Sequence, residues 1–229
     1  MRKLNRVLST CLLTATVIVN LPHWFSSVAI AQTNSRQQSW WWEIFQNDPP
    51  VEDSTPGGRR DISGLCAIAP RSIMTNTKVW SDRPLFVWRG NLGKIEVHPH
   101  KSDEVLWSQT VTSTDNSVTY AGEALQPGQT YDWVIFSPQN SRIFLIPFQV
   151  MEAPERDRIR VRLTILEQEL KEKGATPEEI ANARANYFAQ QQLWSDVLKE
   201  VYSIENPSPE LETIIQEIPS QLCKPMQRH

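Results

Sequence analysis

The sequence predicts an α+β protein, an antiparallel β-sandwich followed by a C-terminal three-helix appendage. Three observations carry this. Between Cys66 and Met151 lie seven or eight short apolar or alternating runs at roughly 10-residue spacing, separated by turn residues. After Pro154 the texture changes to longer segments with helical apolar spacing and clear start and stop residues. Residues 32 to 62 have neither pattern and concentrate Pro, Gly, Gln and charge.

The strand candidates are 66–69 (CAIA), 78–80 (KVW), 85–89 (LFVWR), 94–98 (KIEVH), 105–111 (VLWSQTV), 118–122 (VTYAG), 131–137 (YDWVIFS) and 143–150 (IFLIPFQV). Turns between them are marked by Asp82-Arg83-Pro84, Gly90-Asn91-Leu92-Gly93, Thr114-Asp115-Asn116, Pro127-Gly128 and Ser137-Pro138-Gln139-Asn140. In the seventh run Tyr131, Trp133 and Ile135 point one way and Val134 and Phe136 the other. Both faces are apolar, as expected of a central strand. Pro147 places the last run at an edge or a bulge, because it offers no N–H to a neighbour. The stretch LQPGQTYDWVIF, a Leu-x-Pro-Gly turn leading into a Tyr-x-Trp strand, resembles the corner before a central strand in immunoglobulin-like and fibronectin-type-III-like domains. The resemblance implies that the sandwich is Ig-like.

In the helical half, residues 154–174 alternate Ile159, Val161, Leu163 and Ile165 as a strand would, yet Ile159, Leu163, Leu166 and Leu170 also fall at helical spacing. The strong helix former LEQELKEKG, ending at a C-cap glycine, Gly174, decides for helix. Thr176, Pro177 and Glu179 make a capping box with proline at the first helical position. Ile180, Tyr187, Trp194 and Val201 then form an apolar stripe. A third start follows at Ser208-Pro209-Glu210, with Leu211, Ile214, Ile215 and Ile218 on one face. The stretch ARANYFAQQQLWSDVLKEVYSIENPSPEL resembles part of a tetratricopeptide unit, with no glycine at the turn near Gln191 and Val197 in place of the small alanine. No second copy follows at a 34-residue period, which implies a single TPR-like hairpin.

The N-terminus has a processing signature. MRKLNR is a basic n-region, residues 7–21 an apolar run, and Ala29-Ile30-Ala31 a cleavage site of A-x-A type. Asn20, Pro22 and His23 interrupt the apolar run before it reaches the roughly 18 residues of a membrane span. The expected organisation is a signal peptide over 1–31, a flexible tether with a tryptophan cluster over 32–62, a β-sandwich over 63–151, a helical segment over 152–223 and a tail over 224–229. Cleavage removes Arg2, Lys3 and Arg6 from a whole-chain balance of 23 basic and 26 acidic residues. That leaves 20 against 26, a charge of −6. An acidic chain without a basic block argues against nucleic acid as a partner. It also removes Cys11 and leaves Cys66 and Cys223, for which a disulfide is expected in an exported chain, the alternative being two buried free thiols.

The order of these features resembles a cyanobacterial family of exported proteins of unknown function: signal, Arg-bearing Gly/Pro tether, GLCAIAP, tryptophan-rich sandwich and YFAQQQLWSDVL helices. The resemblance implies a periplasmic or extracellular location and supplies no catalytic residues.

Direct signs of chemistry are sparse. His98 and His100, with Asp103 and Glu104 nearby, have ligand chemistry for a transition metal, but the intervening Pro99 suggests a frayed turn, and no metal site or other cofactor is assigned. No nucleophile elbow, Walker loop, GxGxxG turn, HExxH or CxxC occurs. An enzyme is therefore not expected. The compositional anomaly is tryptophan, nine in the chain. Trp80, Trp88, Trp107 and Trp133 lie in strand candidates, where core packing competes with an exposed carbohydrate-binding face. Trp88 and Trp107 are the candidates for such a face. The principal expectation is a non-catalytic binding or scaffold module of the bacterial cell envelope, with Tyr187, Phe188, Trp194 and Tyr202 facing a protein partner. The run Trp40, Trp41 and Trp42 in the tether has three readings: it covers an apolar groove of its own domain, sits in a membrane interface as peripheral contact, or engages a partner or glycan.

Overall fold

Eight strands and four helices follow one another in the described residues of the computed structural model, which are 64–70 and 77–223. The signal peptide, the tether with Trp40, Trp41 and Trp42, the tail and His229 lie outside them. The strands are β1 (Cys66–Ala69), β2 (Thr77–Val79), β3 (Leu85–Arg89), β4 (Lys94–Pro99), β5 (Trp107–Thr110), β6 (Ser117–Thr119), β7 (Thr130–Phe136) and β8 (Arg142–Val150). They form a three-stranded sheet in the order β1-β3-β6 and a five-stranded sheet in the order β2-β8-β7-β4-β5. The inner faces share one core, in which Phe86 and Trp88 of β3 meet Ile95, Val97, Trp133, Ile135 and Phe148. The chain is thus α+β with two packed sheets.

Strand character follows from burial. β7 lies between β4 and β8, and Trp133, Val134 and Ile135 are all fully buried, as its two apolar faces require. Pro147 pairs with Asp132 on β7, whereas the other neighbour, β2, joins β8 only from Phe148 onward. Pro147 therefore sits where β8 is still an edge. The bulge in this ladder falls elsewhere, between Ile135 and Phe136. One pairing departs from the antiparallel expectation. β2 runs parallel to β8, Thr77 against Phe148 and Val79 against Val150, and belongs to the sheet opposite β1.

The helices are α1 (Ala153–Glu172), α2 (Pro177–Gln190), α3 (Trp194–Tyr202) and α4 (Pro209–Leu222). Their start signals act as the sequence implies. Thr176 Oγ1 accepts the Glu179 N–H at 3.2 Å while the Glu179 carboxylate accepts the Thr176 N–H at 2.7 Å, and Ser208 Oγ accepts the Leu211 N–H. Gly174 turns the chain after α1 at φ 77°. The expected three helices are four. The chain breaks at Gln191–Leu193, at the turn that the tetratricopeptide resemblance places near Gln191, and Gln192 takes φ 58° there without being glycine. The buried positions of α2 are Ala181, Ala185 and Phe188 rather than the Ile180–Tyr187 stripe. Small side chains there let the helix approach its neighbours closely.

The helical segment is not separate from the sheets. β3 is buried on both faces: Phe86 and Trp88 enter the inter-sheet core, while Leu85 and Val87, with Ile68 and Ala69 of β1 and Met151, enter a second core. There they meet Ile159 and Leu163 of α1, Phe188 of α2, Val197, Leu198 and Val201 of α3 and Leu211, Ile214 and Ile218 of α4. The layers are helices, three-stranded sheet, five-stranded sheet. A disulfide between Cys66 in β1 and Cys223 after α4, 157 positions apart, ties the two ends of this second core together. Among the described residues no helix is long and apolar enough to cross a membrane.

Candidate functional site

The alternation in α1 has a direct structural consequence. On a helix, positions four apart share a face. Ile159 and Leu163 turn to the core, whereas Val161 and Ile165 turn outward and stay 58 % and 47 % exposed. They belong to a groove of about 650 Å³, whose wall from α1 carries Arg158, Ile159, Val161, Arg162 and Ile165 and whose wall from α2 carries Tyr187 with Gln191 just beyond. Glu155 and Asp157 stand at one end. The aliphatic floor and aromatic wall suit an apolar side chain, and two guanidinium groups stand at the rim.

The four aromatic residues expected to face a partner do not converge. Tyr187 lines the groove. Phe188 is fully buried, with its ring 5.4 Å from that of Trp80, so it belongs to the core and is not available for contact. Trp194 and Tyr202 are half-buried against the same core, and the Tyr202 hydroxyl lies 3.4 Å from the Ile215 carbonyl. Burial raises the Tyr202 phenol well above its ordinary range. Val161 and Ile165 were the missed half of the site. Their signal was the strand-like alternation, which on a helix means a second apolar face.

Of core packing and an exposed sugar-binding face, Trp88 takes the core and Trp107 is partly buried against it. Trp88 is fully buried between the sheets, because β3 is the middle strand of its sheet and is covered on both sides. Trp107 lies on edge strand β5, yet its ring stacks at 6.1 Å on Phe86 and meets Tyr120 edge-on at 5.3 Å. Trp88 therefore offers no free face to a sugar, and Trp107 is half-buried against Phe86 and Tyr120. His98 and His100 are drawn apart as well. His98 Nε2 lies 2.9 Å from Glu96 and His100 Nδ1 lies 2.8 Å from Asp132, while Asp103 and Glu104 are exposed. Hydrogen bonds from Lys94 and His98 hold the Glu96 carboxyl below its usual range, outweighing the opposing effect of burial. Among the described residues no three His, Cys, Asp or Glu side chains are grouped to hold a metal.

A polar cluster that sequence reasoning missed joins the helices to the turn after β2. Asp196, in the first turn of α3, accepts the main-chain N–H groups of Trp80 at 2.7 Å and Ser81 at 2.9 Å. From α1, Arg156 Nε donates to the Trp80 carbonyl at 2.8 Å and its guanidinium pairs with Asp82 at 2.9 Å. Lys199 Nζ donates to Ser81 Oγ at 2.5 Å and to the Arg83 carbonyl at 2.6 Å. Burial pushes the Asp196 carboxyl up to about 6, against the lowering effect of its two N–H bonds, and desolvation lowers Lys199. In the same layer Arg184 of α2 forks onto Glu200 of α3 with two bonds of 2.8 Å.

A serine next to a lysine of lowered pKa invites a nucleophilic reading. The hydrogen bonds argue against it. Ser81 Oγ already donates to the Arg83 carbonyl at 2.9 Å and accepts the Arg83 N–H and the Lys199 ammonium, so its proton and lone pairs are committed. Ser81 is buried and is not part of the groove. The cluster fastens α1 and α3 to the sheet. It holds the scaffold on which the α1–α2 groove is displayed. In comparisons with known proteins, no family model, no curated protein and no solved structure matches this chain.

Proposed function

We propose that this chain is an exported, non-catalytic binding or scaffold protein of the bacterial cell envelope, and that its partner-facing surface is the groove between α1 and α2. The observation that carries the proposal is the outward pair Val161 and Ile165, facing Tyr187 across a groove with Arg158 and Arg162 on its rim. Adjacent exposed apolar side chains that line a groove fit a contact surface. The Cys66–Cys223 disulfide supports an oxidising compartment. The polar cluster supports a structural rather than a chemical use of the perturbed groups, since Asp196 bonds main-chain N–H groups and is 2 % exposed.

The sandwich is read as Ig-like. What supports this is the pairing of β3 with β6 in one sheet and of β4 with β7 and β7 with β8 in the other. The Tyr131 hydroxyl also accepts the Gln126 N–H at 2.8 Å, five residues upstream, as at the corner before a central strand. It serves as the rigid platform for the helices.

The experiment is affinity capture from envelope extract with the full chain, comparing wild type, V161E/I165E and L145E. Leu145 is an exposed apolar residue of β8, away from the groove. Species recovered with wild type are expected to fall at least about tenfold with the groove variant and to persist with L145E. Equal recovery by V161E/I165E and wild type overturns the proposal.

A further inference from the structure

The charges around the groove are not balanced. Its two acids are already engaged, Glu155 with Lys78 at 3.7 Å and Asp157 with Arg160 at 2.7 Å. Arg158 donates from Nε to the main-chain carbonyl of Pro154 at 3.3 Å, and no carboxylate among the described residues pairs with Arg158 or Arg162. These two arginines, four apart, lie beside Val161 and Ile165. The surface is therefore an apolar strip with a cationic rim. It fits a segment that is aromatic or aliphatic with carboxylates set among or just after the apolar residues.

The chain carries such a segment. Residues 40–48 read WWWEIFQND, five apolar side chains with Glu43 inside the run and Asp48 just after it. Elsewhere in the chain the tryptophans occur singly. Trp42 precedes Gly64, where the described residues begin, by 22 positions. Extended, that length spans up to about 70 Å at 3.3 Å or so per residue. A folded chain of this size has a radius of gyration of only about 15 Å, so the segment can reach any face. Tethering supplies an effective concentration on the order of 1 mM. A segment that binds in trans with a Kd of about 0.1 mM would then be docked roughly nine-tenths of the time.

We propose that the α1–α2 groove takes the chain's own Trp40–Phe45 stretch, with Glu43 and Asp48 against Arg158 and Arg162. This rests on the reading of the groove as a binding surface and names its resident occupant. An external partner must displace that occupant, so the tryptophan run is a built-in competitor that sets the threshold for partner binding. The aromatic rings bury the strip formed by Val161, Ile165 and Tyr187, and the carboxylates neutralise the rim.

The test uses a fluorescein-labelled peptide with the sequence of residues 39–48, followed by anisotropy, titrated into the full chain. Wild type, with its groove filled, is expected to bind the peptide at least about tenfold more weakly than W40A/W41A/W42A. Adding V161E/I165E to the triple variant is expected to remove binding. R158E/R162E is a second, surface-only disruption expected to weaken it about tenfold. Equal affinity for wild type and the triple variant, or binding indifferent to both groove variants, overturns the proposal. A photo-reactive residue at position 41 of the full chain separates the alternatives. Intramolecular adducts with 155–165 or 187–191 support it. Adducts elsewhere in the chain, a dimer-sized adduct or an adduct with added anionic lipid vesicles overturn it. None of these outcomes alters the capture experiment with V161E/I165E, so loss of this inference is distinguishable from loss of the groove as a partner surface.

Discussion

Asp196 and Trp80 lie 116 positions apart, yet the Asp196 carboxylate accepts the Trp80 main-chain N–H at 2.7 Å. With the Ser81 N–H on its other oxygen, this carboxylate caps the turn after β2 from within α3. The consequence is a pH dependence of unusual sign for an aspartate. Its folded pKa, about 6, is above the unfolded value of about 3.9. Stability contributed by the neutral form is thus full below about pH 4 and is lost as pH rises through about 6.

Urea denaturation of wild type and D196N at pH 4 and pH 7 is expected to expose this. Asparagine keeps one acceptor and leaves one buried N–H unpaired, which costs about 1–3 kcal/mol at pH 4. Wild type then loses on the order of 3 kcal/mol between pH 4 and pH 7 that D196N does not lose, so the difference between them closes or reverses. A difference that stays constant across this range contradicts the placement of a buried, titrating Asp196. Comparison with D196N removes the opposite contributions of Glu96, Glu167 and Glu179, whose carboxyls are held low by hydrogen bonds.

The disulfide closes a loop of 157 positions around nearly the whole described fold. Chain-entropy reasoning gives a loss of up to about 5 kcal/mol for C66S/C223S, with about 2–5 kcal/mol the usual outcome. The expected result is a lower urea midpoint with unchanged far-UV circular dichroism. An unchanged midpoint contradicts the covalent tie between β1 and the end of α4.

The helical layer borrows its core from the sheet. Ile68, Leu85, Val87 and Met151 complete the cluster that surrounds Phe188, and none of them lies in the helices. A fragment of residues 152–223 is therefore expected to lack a cooperative thermal transition, while the full chain has one. In the full chain, F188A is expected to cost about 3–5 kcal/mol through the cavity it leaves. Cooperative unfolding of the isolated fragment contradicts the shared core.

Much of this architecture was legible in the residues, and the failures have identifiable causes. The run LFVWR announced a strand, and its unbroken apolar character was the sign that β3 is covered on both faces. That character favours core packing over an exposed face for Trp88, which is fully buried. Capping residues located the starts of α2 and α4, and the tetratricopeptide resemblance placed the break before α3 near Gln191, where Gln192 in a left-handed conformation adds no composition signal of its own. Large side chains suggested the Ile180–Tyr187 stripe, while close helix packing selects Ala181 and Ala185. Val161 and Ile165 were visible as half of an alternation and acquire meaning only once α1 is a helix. The partners of Asp196 were invisible, because main-chain N–H groups more than a hundred positions away leave no trace in composition.

The most direct measurement is site-specific photo-crosslinking from position 165 of the full chain carrying W40A/W41A/W42A, which frees the groove of its own segment, in intact cells, with position 145 on β8 as the reference. Ile165 is 47 % and Leu145 48 % exposed, so the two sites are equally accessible and differ only in surface. A discrete adduct of increased mass is expected from position 165 and none from position 145. Adducts from position 145 alone, or none from position 165, contradict the α1–α2 groove as the surface through which this protein binds.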